Sequence, residues 1–429
     1  MRSRWPRGGL WRDRDFLKLW AGQTISMVGS QVDDLALGFV AIAVLDASAF
    51  EVAVLGTLNF LPFLLFTLPA GVWVDRVRRR PILIGGDFAR AALLATIPIA
   101  YVADALTLWH LYAVVFLVGL CQVFFDVAYQ SYLPSLIERD QIIDGNSKLE
   151  VSRSAAQVGG PGLAGALVEI FTAPYAVLVD AASFAASGLF LLGIRRREET
   201  PIRQTVGGRT TSLWADLREG LRFVLRNPNL RAQAGCTATS NLFSSVAFSI
   251  FLVYAVRELR LSAGVIGLVF SIGAAGSLLG ALTATRISKR FGIGATTIAT
   301  AAFFGPATLL VAAAPAGNAA IGFLVAAQLA FGFSVVVYNI VQVSYRQAIC
   351  PPRLQGRMNS VMRFLVWGTI PIGTLAGGAL ATWMGLRETI LVGAVGGGLA
   401  FLWIVFSPQR RLRELPAPVE DVAAEPARA

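Results

Sequence analysis

Residues 291–345 carry no charged side chain. A membrane helix needs about 20 largely apolar residues, so this run holds two crossings, with Ala314-Pro315-Ala316-Gly317-Asn318 as the turn between them. The stretches 52–74, 232–256, 261–285 and 364–386 are also free of charge and long enough to cross. Inside hydrocarbon every backbone N–H and C=O must be bonded within the structure, which leaves helices or a closed barrel. Barrel strands would be about 10 residues each with alternating polarity, and these runs do not alternate. The chain reads as an all-α polytopic membrane protein. Its composition agrees: 15% of residues are charged and mean hydropathy is +0.63, against about a quarter charged in a soluble protein.

The pattern predicts twelve spans, near 16–45, 51–74, 81–103, 106–133, 147–171, 174–194, 230–256, 263–285, 293–313, 318–344, 357–383 and 386–407. Connections after the even-numbered spans hold the charge, as in DRVRRRP (75–81), ERDQIIDGNSK (138–148) and RISKR (286–290). Those after the odd-numbered spans are short and poor in it. The positive-inside bias then places both termini and the DRVRRRP loop in the cytoplasm. A net charge of +11 and a pI near 10.2 would ordinarily raise nucleic acid as a partner. Here the basic residues sit in short patches at span ends, so the expected partner is the lipid bilayer and no nucleic acid. Arginine far outnumbers lysine, which points to a GC-rich bacterial genome and hence to a bacterial cytoplasmic membrane. No cleavable signal is expected, since an arginine-rich tail runs straight into the first span.

The expected organisation is a basic tail (1–15), a six-helix bundle (16–194), a cytoplasmic linker (195–229), a second six-helix bundle (230–407) and a disordered tail (408–429). Within the linker, Leu213, Leu217, Leu221, Val224 and Leu225 fall on one helical face. Ser212 can cap that helix and Asn227-Pro228 end it, giving an amphipathic segment for the inner membrane surface. The two bundles read as a duplication. Asn146-Ser147 and Asn359-Ser360 open spans 5 and 11, each followed nineteen residues on by Gly-Ala-Leu, and the same offset of 213 carries Ser131-Tyr132 onto Ser344-Tyr345. Paired halves of this kind are characteristic of transporters.

The motif GVWVDRVRRR (71–80) is similar to the G-x-x-x-D-R-x-G-R-R signature of the major facilitator superfamily, and the chain resembles a twelve-helix member over nearly its whole length. The match gives Gly71, Asp75, Arg76, Arg79 and Arg80, with Arg78 where the family usually has glycine. GGPGLAG (159–165) resembles the span-5 signature of antiporters through Gly160, Pro161 and Gly165. The linker and LPSLI (133–137) resemble the branch of drug, siderophore and macrolide exporters. That resemblance implies two pseudo-symmetric bundles acting as a monomer, and a gate in which Asp75 meets the amino end of span 11 while Arg79 pairs with Asp126. The alternative for the arginines is that they only set topology. One departure stands out, because antiporters commonly carry a buried arginine in span 4 and this chain has none there.

A carboxylate at membrane depth costs several kcal/mol unless neutralised or hydrated, and so marks an ion or substrate path. Asp33 and Asp34 in span 1 are the candidates for proton coupling. Adjacent helical residues point about 100° apart, and Asp34 is favoured because it shares a stripe with Gln23 and Gln31, near Thr24. The alternative is a water-exposed pair with no coupling role. Gln23, Gln31, Asn241, Gln328, Asn339 and Trp367 could line a cavity, or equally bond neighbouring helices. Arg153 and Arg363 could snorkel to the interface or meet an acid such as Asp87, Asp126 or Glu150. Asp180 reads as a helix cap near the outer end.

An enzyme is not expected. His110 is the sole histidine, no metal-ligand cluster is present, no cofactor is implied, and none of the three lysines follows the glycine that a P-loop requires. The expected activity is proton-coupled efflux of a small amphipathic molecule such as a drug, secondary metabolite or siderophore by alternating access. Uptake of a nutrient, lipid flipping, or sensing without transport remain as alternatives.

Overall fold

The computed structural model describes residues 10–74, 77–138, 141–196, 213–350 and 355–414. Every regular element among them is helical. The helices are α1 (Arg14–Phe39), α2 (Ala49–Val74), α3 (Arg79–Val102), α4 (Leu108–Leu136), α5 (Ile142–Phe171), α6 (Ala173–Leu192), α7 (Leu213–Arg226), α8 (Pro228–Arg257) and α9 (Ala263–Phe291). They continue as α10 (Ile293–Ala302), α11 (Phe304–Ala312), α12 (Ala319–Ile349), α13 (Gln355–Trp367), α14 (Thr369–Met384), α15 (Leu386–Leu399) and α16 (Leu402–Val405).

Among the described residues, eleven helices or collinear helix pairs are long and apolar enough to cross a membrane. The twelfth span is α5, 30 residues long. Its run of glycines with Gln157, Pro161 and Glu169 dilutes the hydropathy that the other spans display.

Local chemistry sets the helix ends. Ser48 and Glu51 form a reciprocal capping box: the Ser48 N–H donates to Glu51 Oε2 (2.8 Å) and the Glu51 N–H to Ser48 Oγ (3.3 Å), which satisfies two amides of the first turn of α2. Asp13 accepts from the amides of Asp15 and Phe16 at the start of α1. Asn227 accepts from those of Asn229 and Leu230, with Pro228 at the first helical position of α8. Proline also explains two breaks that hydropathy does not show. Its ring clashes with the carbonyl four residues back. Pro306 thereby ends α10 at Ala302, and Pro371 ends α13 at Trp367.

The chain divides into two compact units. The described residues of Met1–Thr205 and Ala255–Ser271 form the first, and those of Val206–Tyr254 and Ile272–Ala429 form the second. In the first, α6 packs along both α1 and α3, and α4 along both α2 and α3. An apolar cluster at the end bearing the charged loops joins Phe16, Leu19, Leu83, Phe125, Tyr132, Leu136 and Leu191. In the second, α11 lies against α12 and α15, and α7 docks on α13. Val224 of α7 is fully buried with Leu230, Met358, Val361 and Met362, and Glu219 pairs with Arg357. The linker helix is thus seated on protein through Val224, while Leu221 and Leu225 stay exposed.

The duplication persists in the packing. Gly22 of α1 takes Ser187 and Phe190 of α6 against its backbone, and at the offset of 213 Gly235 of α8 takes Trp403. Likewise Gly160 of α5 leaves room for Gln31, and Gly373 of α14 for Leu242 and Ser245.

Candidate functional site

The charge inside the first unit centres on a residue that sequence reasoning passed over. Arg90, in the middle of α3, is only 2% exposed. It is the one lysine or arginine buried among the described residues. Its guanidinium donates to Asp87 Oδ1 at 2.5 Å and to Gln122 of α4, and its Nε to the Gly86 carbonyl (3.3 Å). Phe125 of α4 and Phe184 of α6 cover it, with Cζ 4.4 and 4.0 Å from their ring centroids. Cation–π contacts of this kind gain about 2 kcal/mol when desolvated. Gln122 passes the network on, donating from Nε2 to Asp126 Oδ1 (2.8 Å). Three helices are clamped by one side chain.

On the α1 side, Asp33 is 8% exposed, whereas Asp34 is exposed. The helix therefore packs Asp33 against its neighbours and leaves Asp34 on an open face. The stripe that singled out Asp34 does not act as one surface: Gln23 is buried, Gln31 half-buried in the notch at Gly160, and Thr24 donates to Ser152 of α5 (3.0 Å). Asp180 also departs from expectation. It is the eighth residue of α6, 1% exposed, and caps nothing. Its Oδ1 accepts from Ser183 (2.8 Å).

The span-5 motif has a clear packing role in the first unit. A Cβ on Gly165 would overlap the carbonyl oxygen of Ala263, and one on Gly267 would overlap that of Pro161. The Gly162 amide donates to Ser271 Oγ (2.8 Å). One turn beyond, Glu169 Oε2 accepts from the Gly264 amide (2.8 Å) and from Ser262 Oγ (3.2 Å) at the start of α9. A carboxylate is favourable there, where the helix dipole is positive. Nearby, Arg257 pairs with Asp46 (2.7 Å) and donates to the Ala47 carbonyl (3.0 Å).

Of the gate residues, Asp75 and Arg76 lie outside the described residues. Gly71 lies in the last turn of α2 and Arg79 opens α3. Arg80 donates to the carbonyls of Leu191 and Leu192 (3.3 and 2.9 Å) at the end of α6.

The second unit has a different interior. Asn241 donates to the Val366 carbonyl (3.1 Å), Gln342 donates to Asn339 (3.0 Å), and Thr237 and Tyr338 share a 2.8 Å hydrogen bond. Gln328 packs into the notch at Gly273, and Arg363 lies 5.0 Å over the ring of Trp367. Arg153, by contrast, pairs with Glu150 at 3.7 Å with both side chains exposed. A groove of about 670 Å³ runs between α8 and the α15–α16 pair, lined by Thr239, Phe243, Leu399, Trp403 and Phe406 with Arg231 at its end. No carboxylate lines it.

Solved structures share this fold. A bacterial homologue of the iron transporter ferroportin superposes with a TM-score of 0.72 at 19% identity, covering 91% of this chain and 98% of its own. The nucleoside transporter NupG gives 0.71 at 12%, with the same coverage. A family profile described as transmembrane secretion effector matches residues 10–423. The chain belongs to that family, within the major facilitator superfamily. It is a membrane transporter and not an enzyme. Its relatives include the multidrug efflux pump Tap of Mycolicibacterium fortuitum, 27% identical over 89% of this chain and 91% of that protein. Macrolide efflux protein A of Streptococcus pyogenes is 22% identical over 88% and 92%.

Only part of this site could be read in advance. Gly-Gly-Asp-Phe-Ala-Arg (85–90) does contain the signal: an acid and an arginine three residues apart, one helical turn, in the middle of an apolar span.

Proposed function

We propose that this transporter exports small amphipathic molecules, drugs or secondary metabolites, by alternating access across a bacterial cytoplasmic membrane, driven by inward proton flow. Both termini and the linker lie in the cytoplasm. The observation that carries the reading is the charge inventory of the first unit. Asp33, Asp87 and Asp180 are buried, and the one buried cation among the described residues, Arg90, bonds Asp87. Three buried carboxylates at membrane depth against a single guanidinium support a bundle that carries protons. The names of Tap and macrolide efflux protein A support export of drug-like substrates. Glu169 binds the start of α9 and Asp46 pairs with Arg257, contacts that an alternating-access cycle would have to break and remake.

Cells expressing the protein should accumulate less ethidium than control cells, and an uncoupler should abolish the difference. Higher accumulation would instead establish uptake. An unchanged level, with the protein present in the membrane, would leave lipid flipping or sensing.

A further inference from the structure

We propose that Asp33 and Asp180 form one site, a carboxyl–carboxylate pair across α1 and α6 that holds a single shared proton. This rests on the proton-coupled reading above and names the atoms that carry it.

The geometry follows from how the two helices run. They are antiparallel: Gly22 faces Ser187 and Phe190, and two turns further along α1 Gly29 faces Ser183 and Asp180. A Cβ on Gly29 would overlap both Ser183 Oγ and Asp180 Oδ1, so the glycine is what lets the carboxyl of α6 press onto the backbone of α1. Asp33 lies one turn beyond Gly29 on the same face, which brings it beside Asp180.

Both carboxyls are more than nine-tenths buried, and each keeps an orphaned oxygen. Asp180 Oδ1 is occupied by Ser183, while Asp180 Oδ2 and Asp33 Oδ1 have no hydrogen-bond partner. A buried unsatisfied charged oxygen is costly. One proton placed between the two carboxyls makes an O–H···O⁻ bond that satisfies both and removes one negative charge. The nearby cation does not substitute for it. Arg90 acts on Asp180 through its charge, but its bonds go to Asp87, Gln122 and Gly86. The other titratable groups around the pair are Asp34 on α1, Asp87 and Arg90 on α3, and Asp126 on α4. Asp34 is exposed, and it offers a route for the proton between the pair and water.

In the cycle the proton leaves the pair for water and two carboxylates remain. Their second charge is offset by an arriving amphipathic cation. Substrate binding and proton release are then two sides of one exchange.

The test uses purified full-length protein in weakly buffered detergent solution near neutral pH, with a pH-indicator dye and ethidium as the probe. Wild type should release one proton for each ethidium bound. Asp33→Asn and Asp180→Asn should each release at least tenfold less, while Asp104→Asn, in the exposed turn after α3, should match wild type. Normal release in Asp33→Asn and Asp180→Asn would overturn the pair, even if Asp34→Asn abolished it and left proton coupling intact. No release from ethidium-bound wild type would overturn the coupling reading itself. Should either Asn variant fail to elute as a monodisperse species, carbodiimide labelling of wild type decides. Label on Asp33 or Asp180, blocked by ethidium, supports the shared proton, and label confined to other carboxyls refutes it.

Discussion

The two units keep the same packing and hold opposite chemistry in their interiors. Glycine notches recur at the offset of 213, with Gly22 matched by Gly235 and Gly160 by Gly373. The polar positions do not recur. Asp33 corresponds to Val246, Asp126 to Asn339 and Asp180 to Gly393. The α10–α11 pair, which takes the place of α3, has no charged side chain. A charged network therefore occupies the first unit, and hydroxyls and amides occupy the second. Backbone approach is what a duplicated fold must conserve, because a helix contact tolerates no extra atom. Buried charge is specialised, since each ion needs partners from several helices at once.

The largest expected effect comes from Arg90→Met. Leaving buried charged partners without their cation costs about 3–5 kcal/mol, which should appear as a large drop in thermal stability of the purified protein. Replacing Asp87 as well, in Asp87→Leu/Arg90→Met, should recover part of the loss; equal stability of wild type and Arg90→Met would break the contrast between units. Next is Gly165→Val, which must push α5 off the Ala263 carbonyl. Overpacking of this kind costs about 1–3 kcal/mol, and ethidium efflux should fall with little loss of protein from the membrane. Thr237→Val tests the second unit. Interhelical hydrogen bonds there are worth about 0.6–2 kcal/mol, so its melting shift should be well below that of Arg90→Met. Smallest is Arg153→Gln. Its pair with Glu150 is exposed, worth less than about 1 kcal/mol, and a shift matching that of Arg90→Met would show that charge and not burial sets the hierarchy.

Spans, connections and the duplication were legible in the sequence because each follows from composition along one stretch of chain. Capping at Ser48 and the breaks before Pro306 and Pro371 follow from neighbours a turn away. The charged site was less legible. Arg90 meets Gln122 from 32 residues off, and Asp180 meets α1 across the four helices α2 to α5 of intervening chain, so neither contact leaves a periodic trace. The choice between Asp33 and Asp34 turned on 100° of helix rotation. Only the notch at Gly29, where α6 comes closest, fixes which of them packs against its neighbours.

The central claim is that energy coupling resides in the carboxylates of the first unit. It is tested most directly by ethidium transport in proteoliposomes under an imposed pH gradient, comparing wild type, Asp33→Asn and Asn339→Val. The account predicts that Asp33→Asn loses gradient-driven accumulation but still equilibrates ethidium downhill, and that Asn339→Val keeps its drive. Full drive in Asp33→Asn, with loss in Asn339→Val, would contradict it.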